Sequence, residues 1–140
     1  MSVVVGVDGS PGCLSAIRLA AQEARYRQTA LIAVMAYSGD RAIRSPSGEP
    51  MATLQTGGDE RALAESSLRH AVCEALGSQA DDVELRVTAG TAGRQIIEAA
   101  RDAGAQLIVL ATRGSVSQLI GTVSQYVLRK ATCPVLVVPG

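Results

Sequence analysis

The residue types best suited to binding chemistry lie in the last third of the chain. An apolar run ends at Ala111, a polar loop follows, and a short helix is predicted from Gly121 to Lys130. Glycine lets the backbone approach a ligand closely, and the first turn of a helix presents unpaired N–H groups and the positive end of the helix dipole. Thr122 and Ser124 add hydroxyl donors beside those amides. This stretch therefore predicts a phosphate-binding site.

Composition limits what kind of protein can carry such a site. A chain of 140 residues with 47% hydrophobic and 19% charged side chains is typical of a folded protein, and we expect a single domain over residues 1–140. The 13 basic and 13 acidic residues cancel, and Trp and Phe are absent, so nucleic acid is not an expected partner. The apolar runs are too short for a membrane span and the first residues do not resemble a signal peptide, which predicts a cytoplasmic location. The widely spaced Cys13, Cys73 and Cys133 contain no CxxC pair, so we expect reduced thiols and no structural metal.

Apolar runs and helical periodicities alternate along the chain and must position the phosphate site. Continuous apolar runs predict buried strands, and the period-two segment at 83–88 predicts a strand at a sheet edge. Ser10 and Pro11 suit the N-cap and first position of a helix, and Gly77 and Gly104 suit helix ends. Residues 38–58 show no periodicity and are expected to form a long loop. The predicted strands are 3–7, 29–36, 83–88, 107–111 and 134–138, and the predicted helices are 10–27, 59–77, 91–104 and 121–130.

This order predicts an α/β fold, with a parallel, doubly wound sheet and helices on both of its faces. In such sheets ligands bind beyond the carboxyl ends of the strands, where the strand order reverses. Asp8, Tyr37, Gly90 and Gly114 each follow or close such an end. If the first strand lies beside the fourth, Asp8 and the Gly114 loop share one crevice.

Three segments resemble the universal stress protein family, and the similarity covers essentially the whole chain. They are Val5-Gly6-Val7-Asp8-Gly9-Ser10, the run 107–110, and the block 121–138 that ends in Cys-Pro-Val-Leu-Val-Val. The resemblance implies five parallel strands in the order 3-2-1-4-5, in the adenine nucleotide alpha hydrolase-like fold. It also implies a homodimer in which the last strand, Val135 to Val138, pairs with its copy.

One branch of this family binds ATP through Gly-x2-Gly-x9-Gly-Ser/Thr, and this chain departs from that motif twice. The corresponding positions are Ala111-x2-Gly114-x6-Gly121-Thr122. Ala111 places a Cβ where the first glycine lets the ribose and phosphates approach. The spacer at 115–120 is three residues shorter than the pattern, which changes where the amide donors stand.

The resemblance also implies a role for each site residue. Asp8 would lie near the adenosine end of ATP or AMP, and the backbone of Ala36 would meet the adenine. Arg113 would offer its guanidinium to phosphate oxygens, and magnesium could enter with ATP beside Asp8. The phosphates would face Gly114, Gly121, Thr122 and Ser124, and Val123 would be a further nucleotide-binding residue.

Three functions are compatible with these residues. The first is a nucleotide-binding stress-response or regulatory module. The second is a nucleotide-free dimeric interaction protein of the same family, which Ala111 and the short spacer favour. The third is an enzyme, at most a slow ATP hydrolase, because no nucleophile–base pair stands out and His70 has no partner pattern. Asp8 and Thr122 also have purely structural interpretations, as a turn or helix cap and as an N-cap respectively.

Overall fold

Strands and α-helices alternate along the chain, as the sequence pattern predicts, apart from one pair of short strands. The computed structural model describes residues 1–37, 42–44, 50–53, 57–112 and 122–139. In chain order the elements are β1 (Ser2–Gly6), α1 (Cys13–Tyr26), β2 (Ala30–Tyr37), β3 (Ala42–Arg44), β4 (Pro50–Thr53), α2 (Gly57–Leu76), a 3-10 helix (Gly77–Asp82), β5 (Val83–Ala89), α3 (Ala92–Asp102), β6 (Ala105–Ala111), α4 (Thr122–Lys130) and β7 (Val135–Val138).

Five parallel strands form the main sheet in the order β5-β2-β1-β6-β7. Numbered along the chain among these five, the order is 3-2-1-4-5, so the predicted parallel, doubly wound α/β fold is confirmed. β1 lies at the centre, where Val3, Val4 and Val5 are fully buried. Its unbroken apolar run suits a strand that is covered on both faces.

Helices cover both faces of the sheet, and alternate side chains of each strand pack against them. Val3 and Val5 pack in the core on the side of α1 and α2, whereas Val4 packs with α3 and α4 on the other side. Gly6 continues the α3 side. A Cβ on Gly6 would stand 2.7 Å from Cδ1 of Ile96 and 2.8 Å from Cδ2 of Leu110. Glycine therefore permits close packing beneath the carboxyl end of β1.

The two outer strands of the sheet differ in character. Among the described strands β5 pairs with β2 alone, and it alternates apolar with polar residues, so the predicted edge position is confirmed. Its Glu84 and Arg86 side chains contact each other at 3.4 Å. β7 forms the other edge against β6, and its four apolar residues are all half-buried.

The predicted long loop at 38–58 is wrong in two respects. β3 and β4 lie within it and pair antiparallel, with Ile43 opposite Ala52. Strands of three and four residues are too short to show a period, and pairing satisfies their backbone groups. α2 also begins earlier than predicted, at Gly57.

The predicted start of the first helix is also wrong. α1 begins at Cys13 with Gly12 at the N-cap position and no side-chain capping bond. The reason is a turn that precedes it, since the N–H of Cys13 donates to the carbonyl of Ser10 at 3.1 Å. The predicted helix ends are confirmed at Gly77 and Gly104, which have φ of +58° and +60°.

Candidate functional site

The strand order reverses at the carboxyl ends of β1 and β6. β1 lies between β2 and β6, and the chain leaves β1 toward α1 on one face and leaves β6 toward α4 on the other. The connections therefore diverge at this point, which is where doubly wound sheets bind ligands. The first and fourth predicted strands correspond to β1 and β6. They are neighbours in the sheet, because Val5 pairs with Val109.

Asp8 follows β1, is exposed, and organises a turn. Its Oδ1 accepts hydrogen bonds from the backbone N–H of Ser10 at 2.9 Å and from the Ser10 hydroxyl at 2.6 Å. Gly9, between them, has φ of +82°, a conformation that favours glycine. The turn therefore holds the Asp8 carboxylate just beyond the carboxyl end of β1, with one oxygen already bonded inside the turn.

Cys13 lies behind this turn and is buried. Burial raises the pKa of the Cys13 thiol, and the negative charge of Asp8 raises it further. The thiol is therefore protonated at neutral pH and is a poor nucleophile. Burial also raises the pKa of Cys133.

Ala36 lies near the carboxyl end of β2, and its backbone faces the end of β1. The carbonyl of Val34 accepts a hydrogen bond from the N–H of Val7 at 2.9 Å. Backbone groups two residues apart on a strand point to the same side, so Ala36 presents its N–H and carbonyl to the space that β1 leaves at Asp8. The next carbonyl, of Tyr37, accepts from the N–H of Gly90 at 2.8 Å instead. The structure thus brings the backbone of Ala36 toward Asp8.

Ala111 is the last residue of β6 and lies opposite Val138 of β7. Its side chain is half-buried and packs against the core on the α1 side of the sheet. The following N–H, of Thr112, donates to the carbonyl of Val138 at 2.9 Å. The Ala111 methyl group, at the position of the first glycine in the ATP motif, is thus partly buried against the core.

α4 follows β6 along the chain and supplies helix N-terminal amides. Thr122 is its first residue, Val123 is 38% exposed, and Ser124 is only 5% exposed. The first turn contains no acidic residue, and Arg129 and Lys130 occupy the last turn. This charge distribution leaves the positive end of the helix dipole uncompensated by side chains. An anion is suited to that end, with Val123 nearer to solvent than Ser124.

Three predicted site residues, Arg113, Gly114 and Gly121, lie outside the described residues, so their arrangement around the shortened spacer stays a prediction. The side chain of Thr122 also lies outside what the structure describes. The predicted residues that the structure places at the carboxyl end of the sheet are therefore Asp8, Ala36, Ala111, Val123 and Ser124.

Two features at this end of the sheet were not found from the sequence. One is the hydroxyl of Thr88 on β5, whose oxygen is buried and has no hydrogen-bond partner within the described chain. The other is a cleft of about 290 Å³ beside the Asp8 turn, lined by Ser67 and His70 of α2. His70 is exposed and lies 3.6 Å from Glu74. The period of β5 showed which way Thr88 points, but not that its hydroxyl would lack a partner.

The described residues contain neither a candidate metal site nor a membrane-spanning helix. None of the His, Cys, Asp and Glu side chains in those ranges form a group of three or more that could hold a metal ion. The helices of the same ranges are too short or too polar to cross a membrane.

Comparisons with known proteins agree with the fold. The sequence profile of the universal stress protein family matches residues 1–139. Two curated relatives, universal stress proteins MT2698 and Rv2623 of Mycobacterium tuberculosis, are each 29% identical over 142 aligned positions. These matches cover 99% of this chain and 47% of the relatives, so the chain spans about half their length.

Solved structures of the same family superpose along the whole chain. A universal stress protein in complex with cAMP is 29% identical, with a TM-score of 0.74, and the match covers 99% of this chain and 96% of that one. UspA from Lactobacillus plantarum, at 23% identity, has a TM-score of 0.73 and 98% and 97% coverage. The Archaeoglobus fulgidus protein in complex with dAMP, also 23% identical, has a TM-score of 0.61 and 98% and 96% coverage. The last two show the fold alone, which is adenine nucleotide alpha hydrolase-like. The chain belongs to the universal stress protein family.

Proposed function

We propose that this protein is an adenine nucleotide-binding module that acts in a stress response or in regulation, through one domain formed by residues 1–140. The observation that carries the proposal is the reversal of strand order at β1 and β6, which the first turn of α4 follows along the chain. A family member that is 29% identical over nearly its whole length was crystallised with cAMP, which supports the same ligand class here.

The described residues suggest how a nucleotide would lie. The phosphates would meet the amides of Thr122, Val123 and Ser124, which begin α4 without a competing carboxylate. The ribose would lie at Asp8, and the base would meet the backbone of Ala36 at the end of β2. Arg113, Gly114 and Gly121 complete the proposed phosphate site on sequence grounds, and Ala111 borders it.

ATP and AMP are the proposed ligands, and magnesium would accompany ATP through its phosphates. Asp8 is the nearest candidate carboxylate for that ion, but its Oδ1 already accepts two hydrogen bonds from Ser10. We therefore assign no protein ligand to magnesium. The cytoplasm is the proposed location, in keeping with three free thiols.

Isothermal titration with AMP and with ATP–Mg tests the proposal. We expect saturable binding to the wild type and about fivefold to tenfold weaker binding to Thr122→Ala, which removes one hydroxyl that could contact a phosphate. Thr132→Ala is the matched control, because Thr132 is exposed and follows the other end of α4. Absence of heat at millimolar nucleotide would refute the proposal.

A second candidate is a homodimer that acts through protein contacts without nucleotide. The observation that favours it is β7, an edge strand whose residues Val135–Val138 are apolar and half-buried. An apolar edge of this kind is a template for pairing with another strand. We expect sedimentation to show a dimer that Val137→Lys weakens at least about tenfold, whereas Thr132→Lys, just before the strand, leaves it intact. AMP or ATP recovered from the denatured, freshly purified protein would contradict the nucleotide-free form of this candidate.

A further inference from the structure

The hydroxyl of Thr88 is a polar group that the described residues leave without a hydrogen bond. Its oxygen is buried, and it finds no hydrogen-bond partner in the part of the chain that the structure describes. A buried hydroxyl without a partner is unfavourable and therefore rare in folded proteins. Since the β5 backbone pairs regularly with β2 on either side of Thr88, irregular strand geometry does not explain it.

Thr88 lies one strand beyond the backbone proposed to meet the base. It is the register partner of Ala36 in the β2–β5 pair. Val34 packs in the core on the α3 side and Val87 packs in the core on the α1 and α2 side. Because side chains alternate along a strand, Ala36 and Thr88 both point to the α3 face, as adjacent cross-strand neighbours.

The order of strand ends follows the order of the parts of a nucleotide. Across the sheet, the ends run from β6 and its following helix α4, through β1 with Asp8 and β2 with Ala36, to β5 with Thr88. The ends of β1 and β5 are two strand spacings apart, about 10 Å, which is close to the length of a nucleoside. A nucleotide with its phosphates at α4 and its ribose at Asp8 would thus direct the far edge of the base toward Thr88.

The turn at Gly90, two residues after Thr88, is bordered by a side chain that can rearrange. The amide nitrogen of Gln95 lies 2.5 Å from the point where a Cβ on Gly90 would stand, so this amide occupies the space above Gly90. Gly90 has φ of +135° and follows β5 directly. The turn that follows β5 is therefore bordered by a flexible amide.

We propose that the Thr88 hydroxyl accepts a hydrogen bond from the 6-amino group of adenine and so gives the site its preference for adenine. This inference rests on the proposed nucleotide-binding function. It assigns base recognition to a side chain of β5, in addition to the backbone of β2.

The role of the Thr88 hydroxyl is tested by comparing the affinities of two nucleotides for three protein variants. AMP and purine riboside 5′-monophosphate, which lacks the 6-amino group, are titrated into the wild type, Thr88→Val and Thr132→Val. Valine has nearly the shape of threonine without its hydroxyl, and Thr132→Val is the control at an exposed site. Circular dichroism and a thermal melt of each variant establish that it is folded.

We expect the wild type to bind AMP about fivefold to tenfold more tightly than the analogue. Thr88→Val should reduce this preference by at least about threefold through weaker AMP binding, while Thr132→Val keeps it. If folded Thr88→Val keeps the wild-type preference, the Thr88 inference is overturned and nucleotide binding stands. If the wild type binds neither ligand, the proposed function fails first, and the inference fails with it.

Discussion

The polar side chains at the carboxyl ends of β1 and β5 differ in their hydrogen bonding. After β1, Asp8 accepts two hydrogen bonds from Ser10, and these bonds shape the turn into α1. Near the end of β5, the Thr88 hydroxyl is buried without a partner in the described chain. Both residues lie at the same end of one sheet, but Asp8 is exposed and the Thr88 oxygen is buried.

This difference separates a structural contribution from a candidate ligand contact. The bonds of the Asp8 turn form whether or not a ligand is present, so Asp8 should affect stability as well as binding. A buried Thr88 hydroxyl without a hydrogen bond destabilises the nucleotide-free protein. Removing this hydroxyl should therefore raise stability and weaken nucleotide binding. A variant that changes stability and binding in opposite directions is a strong indicator of a binding residue.

The largest effect is expected beneath the end of β1, at Gly6. Gly6→Val would place side-chain carbons into Ile96 and Leu110, because a Cβ alone already stands within 2.8 Å of both side chains. Overpacking of this kind costs roughly 1–3 kcal/mol, and we expect the upper half of that range in the free energy of unfolding from urea titration. Gly6→Ala should cost less, since the ends of Ile96 and Leu110 can shift. Equal stability of Gly6→Val and the wild type would contradict the packing described for α3.

The next effect is expected at Asp8 itself. Asp8→Ala removes both hydrogen bonds that Asp8 accepts from Ser10. It should lower the free energy of unfolding by about 1–2 kcal/mol. Asp8→Asn keeps an acceptor oxygen and should lose less than half as much. Denaturant unfolding of both variants checks this, and equal losses would mean that the charge of Asp8 matters more than the turn.

Cys13 provides an independent reporter of the same turn. The charge of Asp8 adds to the burial that raises the pKa of the Cys13 thiol, so Asp8→Ala should lower that pKa and also loosen the cover over the thiol. We expect faster alkylation of Cys13 by iodoacetamide, with exposed Cys73 as the internal control. An unchanged Cys13 rate would show that the turn does not protect the thiol.

The smallest effect is expected at Thr88, and it has the opposite sign. Thr88→Val replaces an unpaired buried hydroxyl by a methyl group of similar size and should raise the free energy of unfolding of the nucleotide-free protein by about 1 kcal/mol. Thr132→Val should stay within about 0.5 kcal/mol of the wild type. If Thr88→Val is less stable than the wild type, the hydroxyl has a partner in solution.

The sheet could be predicted from the sequence because its signals are local and strong. The continuous apolar run Val3–Val5 indicates a strand covered on both faces, and the alternation in 83–88 indicates an edge strand. Gly77 and Gly104 end helices through their own backbone preference. The strand order came from the resemblance of the block 121–138, because residue patterns alone allow several orders.

The features that could not be predicted depend on contacts distant from the residues concerned, or on very short segments. Ser10 and Pro11 are residue types that favour the start of a helix. In the structure, however, the N–H and hydroxyl of Ser10 donate to Asp8 and form a turn. β3 and β4 are three and four residues long, too short for a period to be visible. Whether the Thr88 hydroxyl finds a partner among the described residues depends on what surrounds it in three dimensions, and no local pattern encodes that.

Nitrogen-15 NMR spectra recorded during titration with AMP test the central claim most directly, because they report both binding and its location. We predict saturable shifts of the amides of Ala36, Thr88 and the first turn of α4, with little change at the opposite end of the sheet, for example at Gly104. Spectra that stay unchanged at millimolar AMP, or shifts confined to that opposite end, would contradict the account.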